Sequence, residues 1–279
     1  MPSSLYKVRV LALALVLTPS LAAAQPVTAP STAGIRFTPV TLNLSLTLQD
    51  APKPPEPEHT GLAALVVETG KDFKAYPTRR STWVILGIGG AGALAAHPSD
   101  KNVNRHLVGS SGVGTFFKPG KYIGQTYTLA GAAAGLYVVG RYFMPHPDGT
   151  KTNKASHLGF DMIQALIVSE TLTQAVKVSV RRDRPTGECC SFSSGHSAAT
   201  FATAAVLERH LGYRASWPMF VVASYVAASR LHDNRHYLSD VIFGAAVGMS
   251  SGWTVVGRHG GKNFGIAPLG KGALMALQF

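Results

Sequence analysis

Between residues 81 and 257 the chain carries six apolar segments, and their spacing admits few folds. They read "STWVILGIGGAGALAA" (81–96), "QTYTLAGAAAGLYVVGRYF" (125–143), "LGFDMIQALIVSETLTQAVKVSV" (158–180), "GHSAATFATAAVLERHL" (195–211), "SWPMFVVASYVAASRL" (216–231) and "HYLSDVIFGAAVGMSSGWTVVG" (236–257). Each is bounded by Pro, Gly or charged residues, as helix ends are. Neither a repeat nor strand-period alternation recurs within this region, so it reads as a single all-α bundle.

A membrane span needs about 20 mostly apolar residues. Several segments fall short or carry charge: Asp161 and Glu170 in the third, and Glu208, Arg209 and His210 in the last turn of the fourth. The abundance of Ala and Gly pulls the other way, because it suits close helix packing in lipid. A soluble or peripherally attached bundle is expected, with an integral membrane protein as the alternative. The formal charge of +12 favours anionic partners: phosphate groups, acidic lipids or nucleic acid.

The N-terminus narrows those partners. Lys7 and Arg9, the apolar "VLALALVL" and the run Ala22, Ala23, Ala24 form the charged, apolar and small-residue sequence of a secretory signal. Its apolar part is too short for a span, and a retained anchor is the alternative. Residues 1–24 are therefore expected to be a signal peptide, and the mature protein to be exported and periplasmic. Export removes nucleic acid from the partners. Residues 25–60 read as a Pro-rich extension, interrupted by one strand-like alternation through Val40, Leu42, Leu44, Leu46 and Leu48 that Pro39 confines to a sheet edge. Residues 61–260 form the helical domain. Residues 261–279 form a tail with a strand–Gly–strand pattern, read as a small hairpin because a barrel needs many more alternating segments.

Cys189 and Cys190 are the two cysteines of the chain. Neighbouring Cα atoms lie about 3.8 Å apart, short of the usual disulfide span of roughly 4.4–6.8 Å. A relaxed bridge is not expected; a strained vicinal bridge, free thiols or an intermolecular bond stay open.

Polar residues cluster in three places. "KVSVRRDRP" (177–185) brings Lys177 and Arg184 to the end of the third segment, where Pro185 helps stop the helix. In "SFSSGHSAAT" (191–200), Ser193 or Ser194 can cap a helix whose first N–H groups, near Gly195, form an anion site. His196 then stands in the first turn beside that anion. "SRLHDNRHYLSD" (229–240) carries Arg230, and it spaces His236 and Asp240 four apart, on one face of a helix. A carboxylate there fixes the imidazole tautomer and frees the other ring nitrogen as nucleophile or base. His232 lies four residues before His236, but Asp233 follows it and Arg235 is a cation within the cluster. No metal and no cofactor is expected.

Each cluster supplies a different part of one phosphoryl-transfer site: cations and donors for phosphate oxygens, and two histidines for chemistry. Their order and spacing resemble the three-part signature of the type 2 phosphatidic acid phosphatase and vanadium haloperoxidase superfamily, K-x6-RP, PSGH and SR-x5-H-x3-D. Here these are "KVSVRRDRP", "SSGH" and "SRLHDNRHYLSD", with Ser193 in place of the proline. The resemblance implies a six-helix bundle with short irregular or strand-like terminal additions, acting as a metal-independent phosphatase. It implies His236 as nucleophile, forming a phosphohistidine, with Asp240 orienting it and His196 as acid and base. Lys177, Arg184, Ser194, Gly195 and Arg230 are implied to hold the phosphate. The substrate expected is a phosphomonoester, lipid phosphate or lipid pyrophosphate. The short gap from "RP" to "SSGH", residues 186–192, resembles the lipid-phosphatase branch. Two alternatives compete: a vanadate-dependent haloperoxidase, and a non-catalytic envelope protein that binds lipid phosphates.

Overall fold

The computed structural model describes residues 60–108, 112–147 and 150–257, together with the backbone of 263–269 and 272–278. The expected signal peptide, and the extension with its strand-like stretch, lie outside the described residues save for Thr60. Nine α-helices are described: α1 (Leu62–Ala75), α2 (Arg80–Ala96), α3 (Asp100–Leu107), α4 (Gly114–Ile123), α5 (Thr126–Tyr142), α6 (Lys154–Val180), α7 (Gly195–Leu211), α8 (Tyr213–His232) and α9 (Leu238–Gly257). The all-α expectation holds. The six apolar segments became α2 and α5 to α9, while α1, α3 and α4 add three helices that apolar runs did not announce. In the tail, β1 (Asn263–Leu269) pairs antiparallel with β2 (Gly272–Gln278), Ile266 opposite Met275.

Helices α6, α7 and α9 form the centre, with α5 packed on α6, α2 on α9, and α8 on α7. Helix α6 starts at a reciprocal cap, in which Asn153 accepts from the Ser156 amide while Ser156 accepts from the Asn153 amide. Its consecutive residues from Leu158 to Met162 are all buried, as in a helix packed on every side. Leu158, Ala165, Val168, Val206, Val255 and Val256 belong to one continuous apolar core.

One packing detail decides where the site forms. Gly244, Gly248 and Gly252 recur every fourth residue along α9 and face the backbone of α7. A Cβ at Gly244 would stand 2.6 Å from the Ser194 carbonyl oxygen, one at Gly252 would stand 2.6 Å from that of Ala202, and one at Gly248 would overlap that of Ala198. The glycines let α9 lie directly on α7. The start of α7 is thereby pressed on the start of α9, where the Ser194 amide donates to the Asp240 carbonyl at 3.1 Å.

Among the described residues no helix is long and apolar enough to cross a membrane. The outer face of α2 is nevertheless apolar and open, with Trp83 61%, Ile88 70% and Leu94 76% exposed.

Candidate active site

The loop from Arg181 to Ser194 carries the first cluster over the start of α7. Helix α6 ends at Arg181, whose left-handed backbone (φ 49°) turns the chain sharply. The loop then folds back on itself: the Arg184 amide donates to the Glu188 carbonyl at 2.8 Å, and the Ser191 amide to that of Arg182 at 2.6 Å. Cys189 and Cys190 are bonded to each other within it, so the vicinal bridge is the state observed. Lys177, near the end of α6, donates to the Cys190 carbonyl at 3.0 Å. Burial, and next the Arg184 charge, lower its pKa to about 8, against the pull of Glu170 and Asp240.

Ser194 is the cap of α7, accepting from the Ser197 amide at 3.4 Å; Ser193 makes no such bond. Gly195 opens the helix, and the N–H groups of this first turn suit an anion. His196 follows, its Nε2 3.2 Å from the Lys121 carbonyl at the end of α4. Its pKa falls to about 4, first through burial and then through the Arg230 charge; the Lys121 carbonyl opposes this, while His236 and Lys177 add to it. The three clusters meet through Ser191 and the Ser194 amide, both bonded to Asp240, and through Lys177 on the Cys190 carbonyl.

Arg230, from the last turn of α8, is 5% exposed and donates to Asp233 at 2.9 Å. Arg184 donates to Glu188 at 3.3 Å, and Arg235 holds the same carboxylate at 2.7 Å. His232 packs at a tilt near Phe117, with ring centroids 5.1 Å apart, and its Nδ1 lies 3.9 Å from Asp233, the partner of Arg230.

The geometry of His236 and Asp240 corrects the helix-face expectation. Helix α9 begins at Leu238, so His236 stands before it. The two residues meet because Asp240 reaches back over the helix start, accepting from the Tyr237 amide at 2.8 Å. Asp240 is wholly buried, and the same carboxylate oxygen lies 3.6 Å from His236 Nδ1. That exceeds hydrogen-bond length, so the carboxylate acts on the ring through its charge. Burial pushes the Asp240 pKa up, yet His236, Ser191, the Tyr237 amide and Arg182 together hold it below the ordinary 3.8. Burial lowers the His236 pKa, with Lys177 and Arg230 adding and Asp240 opposing.

Several contributors were not among the expected residues. Ser191 donates to Asp240 in a very short bond, and Arg182 donates to its other oxygen at 2.8 Å. Asn104, on α3, donates to the His236 carbonyl at 3.3 Å. Arg182 and Ser191 sit inside quoted motifs, where their polarity was the available signal. Asn104 had none, being 132 residues from its partner.

Residues 158–263 match the family model described as PAP2 superfamily. Over 85 residues the chain is 41% identical to a lipid A 1-phosphatase of Porphyromonas gingivalis, a match covering 29% of this chain and 19% of that protein. The chain thus matches about a fifth of that relative's length. The fold is shared, at a TM-score of 0.51 and 19% identity, with the first transmembrane PAP2 type phosphatidylglycerolphosphate phosphatase from Bacillus subtilis, over 64% of this chain and 94% of that one. Aquifex aeolicus LpxE gives a TM-score of 0.47 at 19% identity, over 57% of this chain and 94% of that one.

Proposed function

We propose that the protein is an exported phosphatase that cleaves a lipid phosphate or related phosphomonoester through a phosphohistidine on His236, without a metal ion. The observation that carries this reading is the meeting of His236 and the buried Asp240 with the start of α7, where His196 stands and Lys177 closes the loop above. A site that only bound phosphate would need the cations and amides, and would have no use for His236 backed by Asp240.

Asp240 faces Nδ1, so Nε2 of His236 is the nitrogen left for phosphorus. Its attack forms the P–N bond while the ester P–O bond breaks, and the leaving oxygen takes a proton from protonated His196. In the second step His196 accepts a proton from water. The resulting hydroxide attacks phosphorus, and the P–N bond electrons return to His236. Lys177, Arg184, Arg230, the Ser194 hydroxyl and the Gly195 amide stabilise the charge spread over the equatorial oxygens.

Lipid as substrate is supported by the lipid A 1-phosphatase relative and by the open apolar faces. Through the outer faces of α1, α2 and α5, which expose Leu62, Val66, Trp83, Ile88, Leu94 and Tyr142, the protein rests against a membrane. Residues 1–24 direct export.

The test is phosphate release from lipid phosphates in mixed micelles and from a soluble ester, with and without EDTA and vanadate. Activity that survives EDTA, falls with vanadate and vanishes in His236→Ala protein supports the reading. Turnover by folded His236→Ala protein overturns it.

A further inference from the structure

The part of the chain that matches the PAP2 model begins at residue 158, yet the surroundings of Asp240 are completed by α3, which lies well before it. Asp100, the first residue of α3, is 1% exposed. Its carboxylate accepts from the Ser239 amide at 2.9 Å and from the Ser239 hydroxyl at 2.6 Å. Arg182 spans the gap to Asp240 with both arms of its guanidinium. Nη1 donates to Asp240 at 2.8 Å and to Ser239 Oγ at 2.7 Å, while Nη2 donates to Asp100 at 2.8 Å. The guanidinium lies 4.1 Å over the ring of Tyr237, which holds its plane. One turn along α3, Asn104 holds the carbonyl of His236.

We propose that Arg182 and Asp100 are positioning residues for His236, acting through Asp240. The inference rests on His236 being the nucleophile. Asp240 accepts on one oxygen from Arg182 and on the other from Ser191 and the Tyr237 amide, so its carboxylate plane has one setting. Asp100 in turn fixes Arg182, and a planar fork bridging two carboxylates is a task that a lysine ammonium does not reproduce. The positive charge of Arg182 also balances the field that Asp240 casts on the imidazole.

The other groups around this axis are known. Lys177 from α6, His196 from α7, Arg230 from α8 and Asp240 from α9 bear on the His236 ring. His97 lies 3.2 Å from Asp100 and 3.4 Å from Arg182. Removing the Arg182 charge leaves Asp240 to act unopposed from that side, so His236 becomes easier to protonate. The acidic limb of activity, where His236 takes up a proton, then moves to higher pH. A small misplacement of the nucleophile costs kcat up to about 100-fold, whereas the phosphate cations are untouched.

The experiment compares wild type, Arg182→Met, Arg182→Lys, Asp100→Asn and His236→Ala as full-length chains, each checked by circular dichroism and thermal melting. Arg182→Met and Asp100→Asn are expected to lose kcat by about 10- to 100-fold. Their KM stays within about twofold, and the acidic limb of kcat/KM moves upward in Arg182→Met. Arg182→Lys restores the position of the limb and only part of kcat. Folded Arg182→Met and Asp100→Asn with wild-type kcat overturn the proposal, as does a loss that follows the folded fraction with the pH limb unmoved. If Arg182→Met does not fold, Asp100→Asn and Ser239→Ala decide by their kcat and KM. Turnover in His236→Ala overturns the underlying reading and this proposal together. A dependence on His236 that ignores Arg182 and Asp100 overturns this proposal alone.

Discussion

The bundle has a histidine facing an aspartate at each end, and the two pairs are built differently. Helix α7 runs from His196 to the far end, where His210 bonds Asp161 at 2.7 Å. Around that pair charges meet at close range: Arg209 approaches Glu208 at 3.5 Å, and Trp253 donates to the same carboxylate at 3.0 Å. At the other end the Asp240 carboxylate is taken up by Arg182, Ser191 and the Tyr237 amide, and His236 stands 3.6 Å away. There Lys177, Arg184 and Arg230 crowd one helix N-terminus, and both histidines are pushed toward their neutral forms. Either imidazole keeps a ring nitrogen that its aspartate does not hold. At the His236 end that nitrogen stands in excess positive charge, which draws an incoming anion.

Removing each histidine tests this contrast most severely. His236→Ala is expected to lower turnover by at least about 10³-fold. His210→Ala keeps turnover within about twofold and instead costs about 1–3 kcal/mol of stability, because Asp161 loses its buried partner. Steady-state rates and thermal melts of both variants separate the two ends. Loss of turnover in folded His210→Ala breaks the comparison.

The glycine stripe joins the two halves of the site, so Gly248→Val is expected to be next in effect. The new side chain meets the Ala198 carbonyl and costs about 1–3 kcal/mol through overpacking. The lower melting temperature is accompanied by a fall in kcat, as the starts of α7 and α9 separate. Unchanged melting and activity would show that α9 does not depend on that close approach.

The pH profile sharpens the comparison further. In the free protein both imidazoles lie below the ordinary 6.5, His196 at about 4, so the optimum of kcat/KM is expected on the acidic side of pH 6.5. A bound phosphate anion favours protonated His196 and raises its pKa. The basic limb of kcat therefore lies at higher pH than that of kcat/KM. Coincident basic limbs would count against His196 as the acid.

The smallest effect is reserved for Arg235, which is half exposed and pairs with an exposed Glu188. Arg235→Gln changes kcat/KM by less than about twofold, as an exposed ion pair contributes little. A tenfold loss would place Arg235 on the phosphate.

What the sequence determined by itself was local or carried in order and spacing. Apolar segments bounded by breakers become helices because caps and burial act over a few residues, and α2 and α5 to α9 follow them closely. The three motifs were legible because each keeps its own spacing whatever the rest of the chain does. Tertiary structure decided how those motifs meet. His236 and Asp240, four apart, invited a shared helix face; the helix instead starts between them, and its cap makes the contact. Asp100 and Arg182 are 82 residues apart, and Asn104 reaches His236 across 132. Such pairs have no sequence period, since they exist only once α3 packs against the start of α9, and a hydrogen bond depends on distance in space.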